Sequence, residues 1–247
     1  MSRLPAPARR LALGLVAVAA ALGPSAATLW VSTPSARDVQ QRVRVITDAY
    51  GVVLLNPDEV PPVLAKAVVA TEDERFYSHH GIDSVGLGRA VLYDATHLCL
   101  CQGGSTVTEQ LVKDVYLNGS DRGYNKLVDM ILALKVELVI GKQRIMADYL
   151  SEIPTGQNRN GVSAAACVYF HAPLGDLTLG EYALLAGVTQ APSVYDPKVN
   201  PGLAKERRAQ VLTSMVSERY ITRAQAAAAA AEPVVASGPT PASCAAA

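Results

Sequence analysis

Three stretches hold side chains whose types and spacing could do chemistry. From Val68 to Gly81 an apolar helical run ends in Glu72, Asp73 and Glu74, followed by Arg75, Phe76, His79, His80 and Gly81. Acids near a helix C-terminus oppose the helix dipole, so helix stability is not what keeps them there. Gly81 supplies the backbone freedom that ends a helix or opens a loop. The pattern fits a helix that runs to the rim of a cleft and presents carboxylates there, where they can exchange protons. A solvated helix end is the plainer alternative.

The second stretch runs Gly103-Gly104-Ser105-Thr106-Val107-Thr108-Glu109-Gln110-Leu111-Val112-Lys113. Two glycines turn the backbone sharply into a helix N-terminus, whose free N–H groups can meet an anion. Thr106, Gln110 and Lys113 fall at i, i+4 and i+7 and share one face, a strip suited to a polar ligand. An ordinary amphipathic helix with a solvated face is equally compatible. A phosphate loop is excluded, because the Gly-Lys-Ser/Thr ending is missing. The third stretch is a helix over 124–140, apolar around most of its circumference, with Lys126, Asp129 and Glu137 on one strip. Charges on such a helix are costly unless paired or facing a cleft. A cleft wall is the expectation, with a structural Lys126–Asp129 ion pair as the alternative.

Elements must position these groups. The 247 residues have room for one domain with flanking segments. Lys plus Arg equals Asp plus Glu at 22 each, which argues against a polyanion binder driven by bulk charge. With one Trp and two Phe, stacking platforms for single-stranded nucleic acid are not expected. No His, Asp and Glu cluster has metal-ligand spacing. Helices are predicted at 61–76, 83–97, 105–117, 124–140, 142–152, 161–170, 178–189, 203–219 and 222–231. Asp83, Ser105, Thr178 and Thr222 are their candidate N-caps.

The flanks have their own logic. Residues 1–10 carry three arginines and no acid, and residues 11–31 carry no charge. That run can cross a hydrocarbon core of about 30 Å as a helix with a cytoplasmic N-terminus; a cleaved signal peptide is the rival reading. Either way the body of the chain is expected outside the cytoplasm. Residues 32–42 read as a linker, and 43–55 as a short β-hairpin turning at Asp48–Gly51. Residues 223–247 read as a low-complexity Ala/Pro tail. Of Cys99, Cys101, Cys167 and Cys244, an exported domain could bridge Cys167 to one of the first two; free buried thiols are the alternative.

The order of motifs resembles the glycosyltransferase family 51 peptidoglycan polymerases. It runs from Glu-Asp-x-x-Phe-x-x-His-x-Gly at Glu72 to Gly81, through Gly-Gly-Ser-Thr-x-Thr-x-Gln-Leu-Val-Lys at Gly103 to Lys113, to Lys142-x-x-Ile145-x-x-x-Tyr149-Leu150. Leu-Thr-Leu-Gly-Glu-Tyr-Ala-Leu-Leu-Ala-Gly and Ala191-Pro192-Ser193-Val194-Tyr195-Asp196-Pro197 follow, so the likeness covers about residues 43–222. It implies a mainly α, lysozyme-like domain held by an N-terminal transmembrane helix on the outer side of the cytoplasmic membrane. The implied activity joins lipid II units into β-1,4-linked glycan with inversion and release of undecaprenyl pyrophosphate. Its partners would be lipid II, the growing strand, the membrane and cell-wall synthesis proteins, with no nucleic acid.

By the same resemblance Glu72 is the general base and Asp129 the second catalytic carboxylate. Asp73, Phe76 and His79 shape the site. Ser105, Thr106, Gln110 and Lys113 hold the donor sugar and its pyrophosphate. Lys126 neutralises the leaving group; no cofactor is required, and a divalent cation (Mg or Mn) would assist at the pyrophosphate. The length leaves no room for a transpeptidase domain, so a monofunctional enzyme is expected. Several positions depart from the family pattern. Asp129 stands for a glutamate, Asn125 for an arginine, Glu109 for a glutamine and Asp114 for an asparagine, while Ala147 and Ser151 replace a glutamate and an asparagine. The alternative is therefore a weakened or inactive member that binds lipid II or cell-wall synthesis partners. A lysozyme-type hydrolase with Glu72 as acid would leave the anchor and the second motif unexplained.

Overall fold

The protein is described here from a computed structural model, over residues 27–97, 104–120, 123–236 and 244. Its helices are α1 (Val39–Tyr50), α2 (Pro62–Glu72), α3 (Ser84–His97), α4 (Val107–Leu117), α5 (Tyr124–Glu137), α6 (Lys142–Glu152), α7 (Val162–Phe170), α8 (Leu179–Val188), α9 (Pro201–Ser217) and α10 (Arg223–Ala230). Between α6 and α7 two short antiparallel strands pair, β1 (Pro154–Gly156) with β2 (Arg159–Asn160). The fold is mainly α with this small sheet. Two helix groups make the core: α2, α8 and α9 pack together, and α4 packs on α5 and α6. They meet at the C-terminal end of α2, where Glu72 faces Gln110 of α4.

Most helix boundaries agree with the predicted ones to within two residues, because the cap chemistry is local. Thr178 and Thr222 each accept the N–H three residues on and form capping boxes. The Asp83 carboxylate accepts the Gly86 N–H at the start of α3. Three boundaries need correcting, the first being that the helix expected over 124–140 ends at Glu137. The cap of α4 is Thr106 and not Ser105, since only Thr106 accepts from the Glu109 N–H. The helix expected over 61–76 ends at Glu72, and Asp73 leaves it in a non-helical conformation. That break turns Phe76 inward, where it is fully buried.

The β-hairpin expected over 43–55 is not formed; that segment is the end of α1 and an extended stretch. Val39, Val43 and Thr47 recur every fourth residue and are buried, whereas the brief alternation at Val45-Ile46 leaves Val45 exposed. Helical spacing wins because it puts a whole row of side chains in the core. Gly51, at φ 64°, then ends the helix left-handed. The observed strands arise instead around Gly156, Gln157 and Asn158, all at positive φ.

The flanks are more ordered than composition suggested. Ala36 and Val39 of the expected linker are buried, and Lys135 donates to the carbonyls of Trp30, Thr33 and Pro34. Residues 223–236 pack back on the domain rather than forming a tail apart. The buried Arg208 donates to the carbonyls of Ala230, Glu232 and Pro233, and the Ala236 N–H donates to Tyr169. Cys167 is bridged to Cys244, so it is neither a free thiol nor joined to Cys99 or Cys101, the two alternatives open from sequence; Cys99 and Cys101 lie outside the described residues. Most of the expected membrane span also lies outside them, and only its end, from residue 27, is seen, as helix. Among the described residues no helix is long and apolar enough to cross a membrane.

One buried acid strains this core. Glu152 is 1% exposed, and its Oε1 has no hydrogen-bond partner among the described residues. Burial, with the nearby charge of Asp114 adding to it, pushes its carboxyl well above the usual range. The folded protein therefore keeps this proton at pH values where the unfolded chain has released it. Stability from this group is complete below the ordinary carboxylate range and is lost as pH rises toward the folded pKa. Glu152→Gln mimics the protonated form, so it should leave the melting temperature unchanged near pH 4. At pH 8 it should raise it by roughly 2–4 °C, the shift that about 1 kcal/mol produces in a chain of this size. Thermal melts of the two proteins across pH check this.

Candidate active site

The end of α2 and the loop after it hold the first motif. Asp73 is buried, and its Oδ2 accepts the Val107 N–H at 3.0 Å, one of the free donors at the start of α4. His79 Nε2 lies 2.9 Å from Asp73 Oδ1, and Lys142 Nζ lies 3.4 Å from His79 Nδ1. An ammonium can only donate, so Nδ1 accepts and Nε2–H donates to Asp73. Lys142 also donates to Glu137 at 2.7 Å, and Thr108 donates to the same carboxylate. Lys142 caps the Phe76 ring as well, 4.4 Å from its centroid. Phe76, His79 and Asp73 thus form the floor that fixes the first motif to the N-terminus of α4. Glu74 is solvent-side and paired with Arg89.

Gly81 brings the motifs together. Its φ is +90°, and a Cβ there would lie 2.7 Å from the carbonyl carbon of Ala133 in α5, so no other residue fits. Its carbonyl accepts the Thr106 hydroxyl at 2.6 Å. Thr106 is therefore a structural hinge between the two motifs, and Ser105 beside it lines the groove. That groove, of about 170 Å³, is also lined by Glu72, Asp73, Asp83 and Arg89.

Glu72 is held from two sides. Its Oε2 accepts from Gln110 Nε2 at 3.2 Å, and its Oε1 from Arg207 Nη2 at 3.1 Å. Tyr149 donates its hydroxyl to Gln110 Oε1 at 3.1 Å, which orients the amide so that its NH2 faces Glu72. Burial pushes the Glu72 carboxyl above its usual value, and the Arg207 charge and the Gln110 bond restrain that rise. Lys113, one turn beyond Gln110, adds a more distant positive charge. The outcome is a carboxylate with lone pairs to spare and a weakened grip on its charge, the condition of a general base.

Lys126 sits opposite. Its Nζ donates to Ser105 Oγ at 2.9 Å and to Asp129 Oδ2 at 3.0 Å, and lies 3.5 Å from Glu109 Oε1. Burial opposes its charge, but Glu109 and Asp129 outweigh that and hold the ammonium above its ordinary pKa. The Lys126–Asp129 ion pair is present, and the helix reaches the groove through the bond from Lys126 to Ser105. Asp129 is fully buried behind Lys126, so it reaches a ligand through the lysine and not directly. The two carboxylates nearest the expected pyrophosphate are committed to Lys126 and do not fit a divalent cation as well. Among the described residues no group of three or more His, Cys, Asp or Glu is placed to hold a metal ion.

Sequence does not show that Arg207 and Tyr149 serve Glu72: Tyr149 stands in the Lys142 to Leu150 motif, but nothing in its own helix points to Gln110. Arg207 carried a faint signal, two consecutive arginines in a helix facing the small residues of α8. Gly187 provides the passage: a Cβ there would lie 2.8 Å from Arg207 Cγ, and its carbonyl accepts Arg207 Nε–H at 3.3 Å.

Three of the substituted positions are accommodated locally. Ala147 and Ser151 are buried, and the Ser151 hydroxyl accepts the Leu55 N–H while donating to the Ala147 carbonyl. Asn125 donates to Ser120 Oγ at 3.2 Å. Arg122, three positions before Asn125, lies outside the described residues.

Comparison with known proteins gives this geometry a family. The family model described as Transglycosylase matches residues 39–216. Penicillin-binding protein 1A of Vibrio cholerae is 41% identical over 181 residues, 73% of this chain and 22% of that protein. Penicillin-binding protein 1A of Escherichia coli is 40% identical over 168 residues, 68% of this chain and 20% of that protein. A crystal structure of penicillin-binding protein 1A from Haemophilus influenzae aligns over 75% of this chain and 18% of that one. Its identity is 26% and its TM-score 0.43, too slight a likeness to add weight. The chain spans about a fifth of the length of the relatives it matches. A family match over residues 39–216, with relatives about 40% identical over two thirds or more of the chain, places this chain in the transglycosylase family, as a glycosyltransferase of the family 51 kind.

Proposed function

We propose that the domain polymerises lipid II into β-1,4-linked glycan, with Glu72 as general base. The observation that carries this reading is the Glu72 carboxylate, buried at the edge of the groove and braced by Gln110 and Arg207. The acceptor sugar's 4-hydroxyl oxygen attacks the anomeric carbon of the donor chain as its proton passes to Glu72. The bond from that carbon to the pyrophosphate oxygen breaks, and undecaprenyl pyrophosphate leaves with the electron pair. One displacement inverts the anomeric centre, so no covalent intermediate is needed. Gln110 and Lys113 lie on the strip that would hold the donor, with Ser105 at the groove wall. Lys126 supplies positive charge where the pyrophosphate develops its negative charge. Asp129 acts through Lys126 as a positioning residue, and no step is routed through a metal.

The same reading puts the domain, lysozyme-like in its layout, on the outer side of the cytoplasmic membrane, tethered through residues 11–31. The Cys167–Cys244 bridge supports an oxidising compartment, where such bonds persist. Purified full-length protein incubated with labelled lipid II in detergent should yield glycan that lysozyme digests. Lipid II that is bound but left intact would overturn the polymerase reading and favour the inactive binding member. Shortening of preformed glycan would instead indicate hydrolysis.

A further inference from the structure

We propose that Glu109 is a second counter-carboxylate to Lys126, forming with Asp129 a clamp that sets how strongly the lysine attracts the departing phosphate. This rests on the reading of Lys126 as the leaving-group residue.

Glu109 is the third residue of α4 and 3% exposed. Its two oxygens do different work. Oε2 accepts the Thr106 N–H at 2.9 Å and completes the capping box, while Oε1 lies 3.5 Å from Lys126 Nζ. A glutamine could accept that N–H equally well, because the capping box takes Glu or Gln. The cap therefore does not explain the charge. Asp129 approaches the same ammonium from α5 at 3.0 Å, and Ser105 Oγ takes a further proton of it. Three donors of one ammonium thus meet two buried carboxylates and a hydroxyl on the groove wall.

Two carboxylates thus converge on one ammonium. The Lys126 side chain is 34% exposed, against 3% and 1% for the side chains of Glu109 and Asp129. A ligand in the groove therefore meets the lysine first and feels the carboxylates behind it. Glu109 engages the same ammonium that a bound phosphate would need, so its buried charge offsets part of the attraction the lysine can exert. Glu109 weakens the hold on pyrophosphate, and a leaving group held less tightly is released more easily after the bond has broken. It also keeps Lys126 ionised and aimed, as a short Asp129 side chain on its own reaches only one face of the ammonium. The carboxylate clamp thus trades product retention for release.

Inorganic pyrophosphate without metal is the probe, titrated calorimetrically into the purified full-length protein. Glu109→Gln keeps the cap and removes the charge. It should bind pyrophosphate about tenfold more tightly than wild type, a change of about 1.4 kcal/mol. Its melting temperature should be unchanged, and the gain should shrink with added salt. Asp129→Asn should also tighten binding, and the double variant should exceed either. In a Lys126→Met background the Glu109→Gln gain should fall to less than half. Binding that appears only in the variant, below detection in wild type, supports the clamp in the same way. Equal affinity of wild type and Glu109→Gln, no binding by either, or an undiminished gain without Lys126 would overturn it. Because this readout needs no turnover, it separates from the lipid II assay, whose failure would strike the polymerase reading alone.

Discussion

Replacing Glu72 by glutamine should abolish glycan formation from lipid II, by roughly 10³-fold, within the 10²–10⁴-fold range that general bases supply. The substitution is nearly isosteric. The amide oxygen can still accept from Arg207 or Gln110, so the groove keeps its shape and lipid II binding should persist. Only the proton acceptor is lost. In wild type, turnover against pH should fall on the acid side as Glu72 takes up its proton, and this limb should lie above the usual carboxylate range because burial raises that pKa. The residual activity of Glu72→Gln should lack the limb. Measuring initial rates of both proteins between pH 4.5 and pH 8 decides it, with the range set to bracket ordinary and raised carboxylates. A glutamine variant with full turnover, or an acid limb that survives in it, would move the base elsewhere.

Much of the site was legible because its chemistry is local in sequence. Glu72, Asp73, Phe76 and His79 lie within eight positions, and the loop geometry that joins them follows from a helix ending at an acid and a glycine at positive φ. Gln110 and Lys113 share a helical face, as periodicity shows, whereas Thr106 caps the helix and turns to Gly81. What remained hidden depends on partners far along the chain. Arg207 meets Glu72 across 135 positions, and two consecutive arginines in α9 do not say which of them is aimed at a carboxylate. Tyr149 is hidden for the same reason, since a buried tyrosine reveals its hydroxyl partner only in three dimensions. The misread hairpin is different in kind. Val43-Arg44-Val45-Ile46-Thr47 carries both a two-residue and a four-residue period, and only the neighbours already in the core choose between them. Asp129 illustrates a further limit: the resemblance implies a catalytic carboxylate there, and only three dimensions show that it is fully buried and paired with Lys126.

Arg207→Met should cost about 3–5 kcal/mol of stability at neutral pH, as expected when one partner of a buried ion pair is removed. The methionine keeps the apolar stem that passes Gly187, so lost packing is small and the effect isolates the charge. Both partners of the Arg207–Glu72 pair are 8% exposed, so water cannot replace the guanidinium. The carboxyl should answer by holding its proton to higher pH, since burial is then opposed by Gln110 and the distant Lys113 alone. Two consequences follow from the sign of that shift. The folded protein then binds a proton that the unfolded chain has released, so the stability deficit of Arg207→Met should be small near pH 4 and widen as pH rises. The acid limb of turnover should move upward, so activity at pH 7 should drop about 10–100-fold and recover in part at pH 9. Glu72→Gln in the same background removes the uncompensated charge, so the double variant should be more stable at pH 8 than Arg207→Met alone. Thermal melts across pH, alongside rate–pH profiles, test both consequences at once. A deficit independent of pH, with the limb unmoved, would mean that Arg207 only packs against Tyr195 and α8 and does not govern the base.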